Sequence, residues 1–370
     1  MLSRTLAVLR EQMDVKHWHS GAMVSVRRDG GEQLDVAVGE VRPGMPMDGG
    51  VMLNWMSTTK VVAVVAIGQL LERKKLESEK ERVSKYVPEF GKYGKELITI
   101  EHLLFHTAGI PYADVSMWSK MHLWSEVIET ICEAKVEDGM SPGTKAAYHP
   151  YSAWFLLGEI VRRVDGRTFD VYCREEIFGP LGMADCYVGM DRATYERYAA
   201  EGRFAELRTM SPKGKLLNKA TVGTQPDEVM ACVPGSNGRG PAPQLLRLFE
   251  CLVMGGVGRD GTRVLQQATV DKLTARRRIG MYDVVQGVLC DWSLGLFVRT
   301  GDGPQLTGIH STAQTYGHGG SQSSVGFCDP VHKLAVVIVC NTRPGPKHHY
   351  ERMCNIATAV YEDLGLAQGK

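Results

Sequence analysis

The pattern of hydrophobic and polar positions changes character along the chain. Apolar side chains recur at helical spacing over residues 2–14, which predicts a first helix. Alternation over 22–28 and 33–39, broken at Asp29-Gly30-Gly31, predicts a β-hairpin. Further strands are predicted near the C-terminus at 292–298, 324–328 and 334–340. A final helix is predicted from about 349 to 364.

Helical patterns dominate the middle of the chain. The predicted helices lie at about 57–73, 98–109, 121–136, 153–163, 168–182 and 242–254. Strands at both ends with helices between them predict an α+β fold, in which N- and C-terminal segments build one sheet. We therefore predict an α/β domain of residues 1–85 plus 255–370, and an inserted, mostly α-helical domain of residues 86–254.

Charge and cysteine content narrow the functional classes. The 370 residues carry 43 basic and 42 acidic side chains, so no electrostatic signature of nucleic-acid or membrane binding is present. The nine cysteines include no Cys-x-x-Cys pair, which predicts reduced core residues in a reducing compartment. The first residues carry charges too early for a signal peptide, and no apolar run has membrane-spanning length. A cytoplasmic enzyme is expected, with neither a nucleic acid nor a membrane as partner.

A serine and a lysine stand three residues apart where the apolar run Val61–Ile67 begins. On a helix, Ser57 and Lys60 would share one face, and the helix N-terminus would bring backbone N–H groups beside the serine. Such a site would combine a nucleophile, a base and half of an oxyanion hole. Taken alone, the spacing is better explained by an N-cap serine and a solvated lysine. A lysine in a helix that is apolar all round is costly to bury unless it is used or paired.

Two further stretches could contribute chemistry. Tyr148 follows the turn Pro142-Gly143-Thr144, and a phenol near an ammonium group can serve as a general base. By itself, a tyrosine in front of a helix is more often a packing residue. The stretch 316–324 is rich in glycine and precedes a predicted strand, so it could approach a ligand closely or form a plain turn.

These stretches occur in an order that resembles the serine β-lactamase and penicillin-recognising superfamily. The resemblance is to its class C branch, which includes family VIII carboxylesterases, D-aminopeptidases, D,D-peptidases and polyketide-tailoring acyltransferases. The segments that carry it, over about residues 5–365, are Ser57-x-x-Lys60, Pro142-Gly143-Thr144 with Tyr148, His318-Gly319-Gly320, and the connecting stretches 102–109, 156–161 and 326–330. The resemblance implies a β-lactamase/transpeptidase-like fold, with an antiparallel sheet flanked by helices.

The resemblance also implies a role for each matching residue. Ser57 would be the acylated nucleophile, Lys60 would help to deprotonate it, and Tyr148 would act as base and then as acid. His318 stands where many members have the lysine of Lys-Thr-Gly. The backbone N–H groups of Ser57 and Ser321 would form the oxyanion hole. Substrate contacts are expected from Gly319, Gly320 and His149, and neither a metal nor an organic cofactor is implied.

Two departures from the family pattern bear on the substrate. Pro150 replaces the asparagine of the Tyr-x-Asn motif, so the side-chain contact to a substrate amide is missing, unless His149 or Ser152 supplies one. His318 replaces a fixed positive charge with an imidazole that is mostly neutral at pH 7. Both changes favour a neutral ester or thioester over β-lactams and over peptides that end in a carboxylate.

The predicted function is therefore a serine hydrolase that cleaves a carboxylic ester through an acyl-enzyme on Ser57, and its partner is expected to be a small-molecule ester, thioester or amide. Alternatives are an acyltransferase of secondary metabolism, a β-lactamase, a D-aminopeptidase or D,D-peptidase, and a silent binding protein. A Ser-His-Asp hydrolase is disfavoured because no Gly-x-Ser-x-Gly occurs. His102 and His106 are expected to be structural, and the glycine-rich loop 232–241 is expected to be structural or to line the pocket. The substrate pocket is expected from loops 110–125, 190–235 and 280–315.

Overall fold

An antiparallel sheet built from both ends of the chain organises this computed structural model. The structure describes residues 2–114, 120–210, 216–222, 225–301 and 305–367, with the side chains of 216–222 excepted. The helices are α1 Ser3–Asp14, α2 Lys60–Glu72, α3 Ile100–Leu104, α4 Trp124–Glu133, α5 Ser152–Asp165, α6 Phe169–Cys173, α7 Arg192–Ala200, α8 Pro226–Met230, α9 Ala242–Val253, α10 Gln267–Thr274 and α11 Pro346–Asp363. The strands are β1 Gly21–Arg28, β2 Leu34–Arg42, β3 Met45–Pro46, β4 Leu53–Asn54, β5 Tyr187–Val188, β6 Leu207–Met210, β7 Leu216–Val222, β8 Gly238–Gly240, β9 Tyr282–Asp283, β10 Val288–Leu289, β11 Asp291–Trp292, β12 Phe297–Val298, β13 Tyr316–Gly320, β14 Ser324–Asp329, β15 Leu334–Cys340 and β16 Thr342–Arg343.

The main sheet has eight strands in the order β11-β12-β13-β14-β15-β1-β2-β3. Strand β1 lies between β2 and β15, which joins the N-terminal hairpin to the C-terminal strands. The pairings along the sheet are antiparallel. The predicted α+β fold, with its sheet drawn from both chain ends, is therefore confirmed.

The continuous apolar run of β15 is explained by cover on both faces of the sheet. Leu334, Val336 and Ile338 belong to the core cluster that contains residues of α1 and α11. The intervening Val337 and Val339 belong to the larger cluster that contains residues of α2 and α9. Because alternate residues of a strand point to opposite faces, a strand covered on both sides has no polar positions.

Helix α2 runs through the larger core cluster. Its residues from Lys60 to Leu70 are all buried, as its all-round apolar pattern predicts. The helix packs against α5 and α10. The short 3₁₀ turn Ser57–Thr59 leads directly into α2, so the candidate nucleophile is held at one end of the most buried helix in this region.

The predicted strand 292–298 is wrong in one respect, because the chain turns back on itself there. Residues of β11 and β12 pair with each other, Asp291 with Val298 and Trp292 with Phe297. Gly295, at φ +84°, makes the turn possible, and a Cβ there would meet the side chains of Val64, Leu104 and Trp154. An apolar run alone could not reveal a turn whose only local signal is one glycine.

The domain boundaries remain a prediction. Helix α9 packs against β1, β14 and β15 of the main sheet, although the boundary predicted at 254/255 assigns it to the inserted domain. This packing favours a boundary before Ala242. Within the described ranges, no helix is both long and apolar enough to cross a bilayer.

Candidate active site

The turn that carries Ser57 is held in an unusual backbone conformation. Met56, directly before the serine, has φ 49° and ψ −137°, a region that few non-glycine residues adopt. Asn54 supports this conformation, because its Oδ1 accepts the Met56 N–H at 2.7 Å. Since Ser57 begins the helical turn, no preceding carbonyl of that turn can accept its N–H, which remains available for an oxyanion.

Lys60 lies beneath Ser57 and is completely buried. Its Nζ is 3.2 Å from Ser57 Oγ, 2.9 Å from the Pro150 carbonyl oxygen and 2.6 Å from the Gly235 carbonyl oxygen. The rings of Tyr148 and Trp154 flank it, with their centroids 5.2 and 5.1 Å from Nζ. Removal from water lowers the pKa of Lys60 well below its usual value. Burial thus favours the neutral amine over the ammonium form of Lys60.

Tyr148 lies just before the start of α5, and its phenol interacts with the Ser57 side chain. Burial raises the pKa of Tyr148, although the hydrogen bond with Ser57 opposes that shift. The ring packs against His106, at 4.6 Å between centroids, and faces the ring of His318 at 6.2 Å. In the resting site Tyr148 is therefore a neutral phenol.

Strand β13 forms the opposite wall of the site. Within the described part of the chain, β12 pairs with Tyr316 and Gly317 and leaves the edge of β13 from His318 onward unpaired. Hydrogen bonds from Thr58 Oγ1 to the His318 carbonyl at 3.1 Å, and from Ser324 Oγ to the Trp55 carbonyl at 2.7 Å, join this wall to the nucleophile turn. The glycine-rich stretch, for which a plain turn is an alternative from sequence, is the end of a strand that contacts the turn carrying Ser57.

His318 is buried and uncharged. Its Nδ1 lies 2.8 Å from the Gly319 carbonyl, which can only accept, so Nδ1 carries the hydrogen and Nε2 keeps a lone pair. Burial, and then the proximity of Lys60, lower the pKa of His318 to about 3, although the bond with Gly319 opposes the shift. Among the described residues, Nε2 has no hydrogen-bond partner. The side chain thus offers a hydrogen-bond acceptor and no positive charge.

A cleft of about 470 Å³ opens above these groups. Ser57, Tyr148, His318, Gly319, Gly320 and Ser321 line its floor and one wall. Much of the remaining described lining comes from residues 285–286, 288–290, 297–298, 300 and 305–307, with parts of β11 and α11. The predicted pocket loop 280–315 therefore contributes, whereas positions 115–119, 211–215, 223–224 and 302–304 of the predicted loops lie outside the described residues.

His149 is placed differently from the other candidate residues. Its side chain is fully buried, it is not among the cleft-lining residues, and its Nε2 accepts the Ile110 N–H at 3.2 Å. Its own N–H donates to His106 Nδ1 at 3.0 Å. These contacts place His149 in the support behind Tyr148, and they do not favour the substrate contact that we predicted from sequence.

Sequence reasoning missed three groups that the structure brings to the site. The carbonyls of Pro150 and Gly235 hold Lys60, and Asp283 accepts the Tyr148 N–H at 3.0 Å. A backbone carbonyl leaves no signal in a residue type. The glycine at 235 is a partial signal, because a Cβ there would meet the Pro150 carbonyl oxygen at 2.8 Å. Asp283 lies in a stretch without a recognisable motif.

Comparison with known proteins agrees with this geometry. The beta-lactamase family model matches residues 6–359. An esterase/beta-lactamase named LipL from Mycobacterium tuberculosis is 26% identical over 312 residues, which are 78% of this chain and 69% of the relative.

Solved structures show the same likeness in three dimensions. A penicillin-binding protein homolog from Caulobacter crescentus superposes with a TM-score of 0.80 at 26% identity, covering 98% of this chain and 97% of the other. A family VIII carboxylesterase gives a TM-score of 0.82 at 24% identity, with the same two coverages, and this second likeness concerns the fold alone. The family model, the sheet and the serine–lysine turn agree, and the chain belongs to the beta-lactamase family of serine hydrolases and acyltransferases.

Proposed function

We propose that this protein is a serine hydrolase that cleaves a neutral carboxylic ester through an acyl-enzyme on Ser57. The observation that carries the proposal is the contact of Ser57 with both Lys60 and Tyr148 at the floor of a cleft whose described lining is uncharged. The name of the LipL relative, an esterase/beta-lactamase, supports ester chemistry. A reducing compartment remains our proposal for its location, since the nine cysteines are free.

Lys60 is the better base in the resting site. As a neutral amine it has two N–H groups, which match the Pro150 and Gly235 carbonyls, and a lone pair left to face the Ser57 hydroxyl. A phenol whose pKa is raised by burial is a poor base but a competent proton donor. These roles for Lys60 and Tyr148 differ from those implied by the family resemblance, in which Tyr148 acts first as a base.

The proposed acylation proceeds as follows. Ser57 Oγ attacks the ester carbonyl while its proton passes to Lys60, and the N–H groups of Ser57 and Ser321 receive the oxyanion. As the bond from carbonyl carbon to leaving oxygen breaks, Tyr148 gives its proton to that oxygen and regains the one that Lys60 took. Water then attacks the acyl group, with the same groups moving protons in reverse, and the carboxylic acid leaves.

The lining of the cleft favours a neutral substrate. Among its described residues none is Asp, Glu, Lys or Arg, and Val288, Leu289, Phe297 and Leu306 present apolar surface. His318 adds an acceptor where a carboxylate-binding cation would be needed. Burying a carboxylate without a partner cation costs several kcal/mol, on the order of the penalty for an unpaired charge. A D,D-peptidase substrate, which ends in a carboxylate, is therefore disfavoured.

The test uses p-nitrophenyl butyrate and a fluorophosphonate label. Wild-type protein should hydrolyse the ester and gain one adduct on Ser57, whereas Ser57→Ala should lose both. The exposed Ser141 provides a matched control, and Ser141→Ala should retain both. Full activity of Ser57→Ala would refute the assignment. Absence of both turnover and adduct in the wild type would favour a silent binding protein of the same fold.

The same acyl-enzyme could pass its acyl group to an alcohol or amine, so an added acceptor belongs in the assay. Ester or amide product formed faster than free acid would identify an acyltransferase. Free acid as the main product at high acceptor concentration would support the hydrolase that we propose.

A further inference from the structure

A short hairpin beside the site links one wall of the cleft to Tyr148. This hairpin, which we call the flap, comprises residues 282–289, with β9 and β10 joined by a tight turn. Val285, Gln286, Val288 and Leu289 of the flap line the cleft. On its outer side the flap exposes Tyr282, which is 56% accessible.

Asp283, at the base of the flap, is completely buried. Its Oδ1 accepts three backbone N–H groups, from Tyr148 at 3.0 Å, Val285 at 3.1 Å and Gln286 at 3.0 Å. Two of these donors belong to the flap turn and one belongs to the residue that contacts Ser57. A single carboxylate oxygen therefore joins two segments that are 135 positions apart in the chain.

Backbone contacts continue the same link. Val284 N–H donates to the Ala146 carbonyl at 3.0 Å, and Ala146 bridges Asp283 in parallel register. On the other side of the carboxylate, Arg278 Nη1 lies 3.7 Å from Oδ2 and donates to the Phe105 carbonyl at 2.7 Å. Within the described residues, Asp283 Oδ2 has no hydrogen-bond partner. The carboxylate thus sits between a fixed cation and the Tyr148 segment.

We propose that Asp283 is a positioning residue that fixes the backbone of Tyr148 and the flap as one unit, so that the proton donor and the cleft wall keep their mutual geometry. The proposal rests on the proposed function, in which Tyr148 protonates the leaving oxygen. It deepens that function by naming the group that sets the position of the donor. Asp283 is not itself among the described cleft-lining residues, and it acts on the site through the backbone of Tyr148 and of the flap.

Two esters of the same acid distinguish an effect on the position of Tyr148 from an effect on the stability of the fold. Ethyl butyrate releases an alkoxide that needs a proton as it leaves, whereas p-nitrophenyl butyrate releases a stable phenolate that does not. Loss of proton donation therefore slows the ethyl ester more than the nitrophenyl ester. Fluorophosphonate titration of Ser57 counts the folded, reactive sites, and rates are expressed per titrated site.

We expect kcat/KM of Asp283→Ala to fall at least tenfold more for the ethyl ester than for the nitrophenyl ester. Tyr148→Phe should shift this ratio in the same direction. Asp283→Asn keeps an acceptor of the same shape without the charge, so its ratio should move by a smaller factor, about threefold. The flap control Tyr282→Ala should leave the ratio unchanged.

Equal losses on both esters would show that Asp283 only stabilises the fold, and would overturn the proposal. If Asp283→Ala does not fold, a wild-type ratio for Asp283→Asn overturns it as well. Failure of the proposed function is recognised separately, because wild-type protein would then neither turn over the nitrophenyl ester nor react at Ser57.

Discussion

Gly320 is the point at which strand β13 and the nucleophile turn come closest. A Cβ at this position would overlap the Trp55 carbonyl oxygen and Ser324 Oγ, at distances well below the 3.0 Å that is the shortest contact a Cβ makes with another heavy atom. Neither of these two atoms can move aside easily. The Trp55 oxygen belongs to the backbone, and Ser324 Oγ is hydrogen-bonded to that oxygen and to Thr58 Oγ1. Gly320→Ala must therefore separate the strand from the turn.

The size of the separation sets the expected effect. Relieving this overlap requires a movement on the order of 1 Å, and misplacement by that amount can cost about 100-fold in rate. The movement would draw the Ser321 N–H away from the Ser57 N–H, and loss of one oxyanion donor costs a similar factor, about 10²–10³ in kcat. We expect kcat of Gly320→Ala on p-nitrophenyl butyrate to fall about 100-fold.

Gly319 supplies a matched comparison in the same strand. A Cβ there meets only Leu306 Cδ1, at 3.1 Å, and this atom is the end of a movable side chain that lines the cleft. Gly319→Ala should raise KM and reduce kcat by no more than about threefold, since an added methyl narrows the cleft without moving the oxyanion donors. Both variants should be compared by steady-state kinetics and thermal unfolding. Comparable kcat values for the two alanine variants would refute the proposed close approach.

Lys60→Arg should lower the acylation rate about 10³-fold, because arginine stays charged and cannot accept the serine proton. The wild-type rate should fall as the pH is lowered, because the Lys60 amine gains a proton. A pH–rate profile without this fall on the acid side would contradict a neutral base. Acid should also destabilise the folded protein. Burial lowers the pKa of His19, His149 and His318 to about 3, so these histidines bind protons only in the unfolded state as the pH falls below 6.5. Each histidine should cost up to about 2 kcal/mol between pH 6.5 and pH 5, above the range where carboxylates titrate. Urea titrations at the two pH values measure the loss, and equal stability would disprove it. Asn54→Ala should leave the buried Met56 N–H unpaired and remove the donor to Asn237 Oδ1, which should cost about 1–3 kcal/mol by the same titration, and unchanged stability would contradict this role of Asn54.

The sequence by itself determined that strands from both chain ends build one sheet, and it located the main helices. β15 and α2 were predictable because a strand or helix covered on all sides must be apolar throughout, and that composition is visible in one dimension. Ser57 and Lys60 were also visible, because a helical turn places residues three apart on one face. The turn at Gly295 was not, because the side chains that leave no room for a Cβ there, such as Val64, come from distant segments of the chain.

Only the tertiary structure decided what the site residues can do. Whether Lys60 is a solvated cation or a buried amine depends on the Pro150 and Gly235 carbonyls, which lie 90 and 175 positions away. Whether His149 faces the substrate depends on His106 and Ile110, which use both its backbone and its ring. The charge state of a side chain depends on its burial, and burial is a property of the assembled core. Residue type and spacing could therefore identify the candidate residues but not their protonation states.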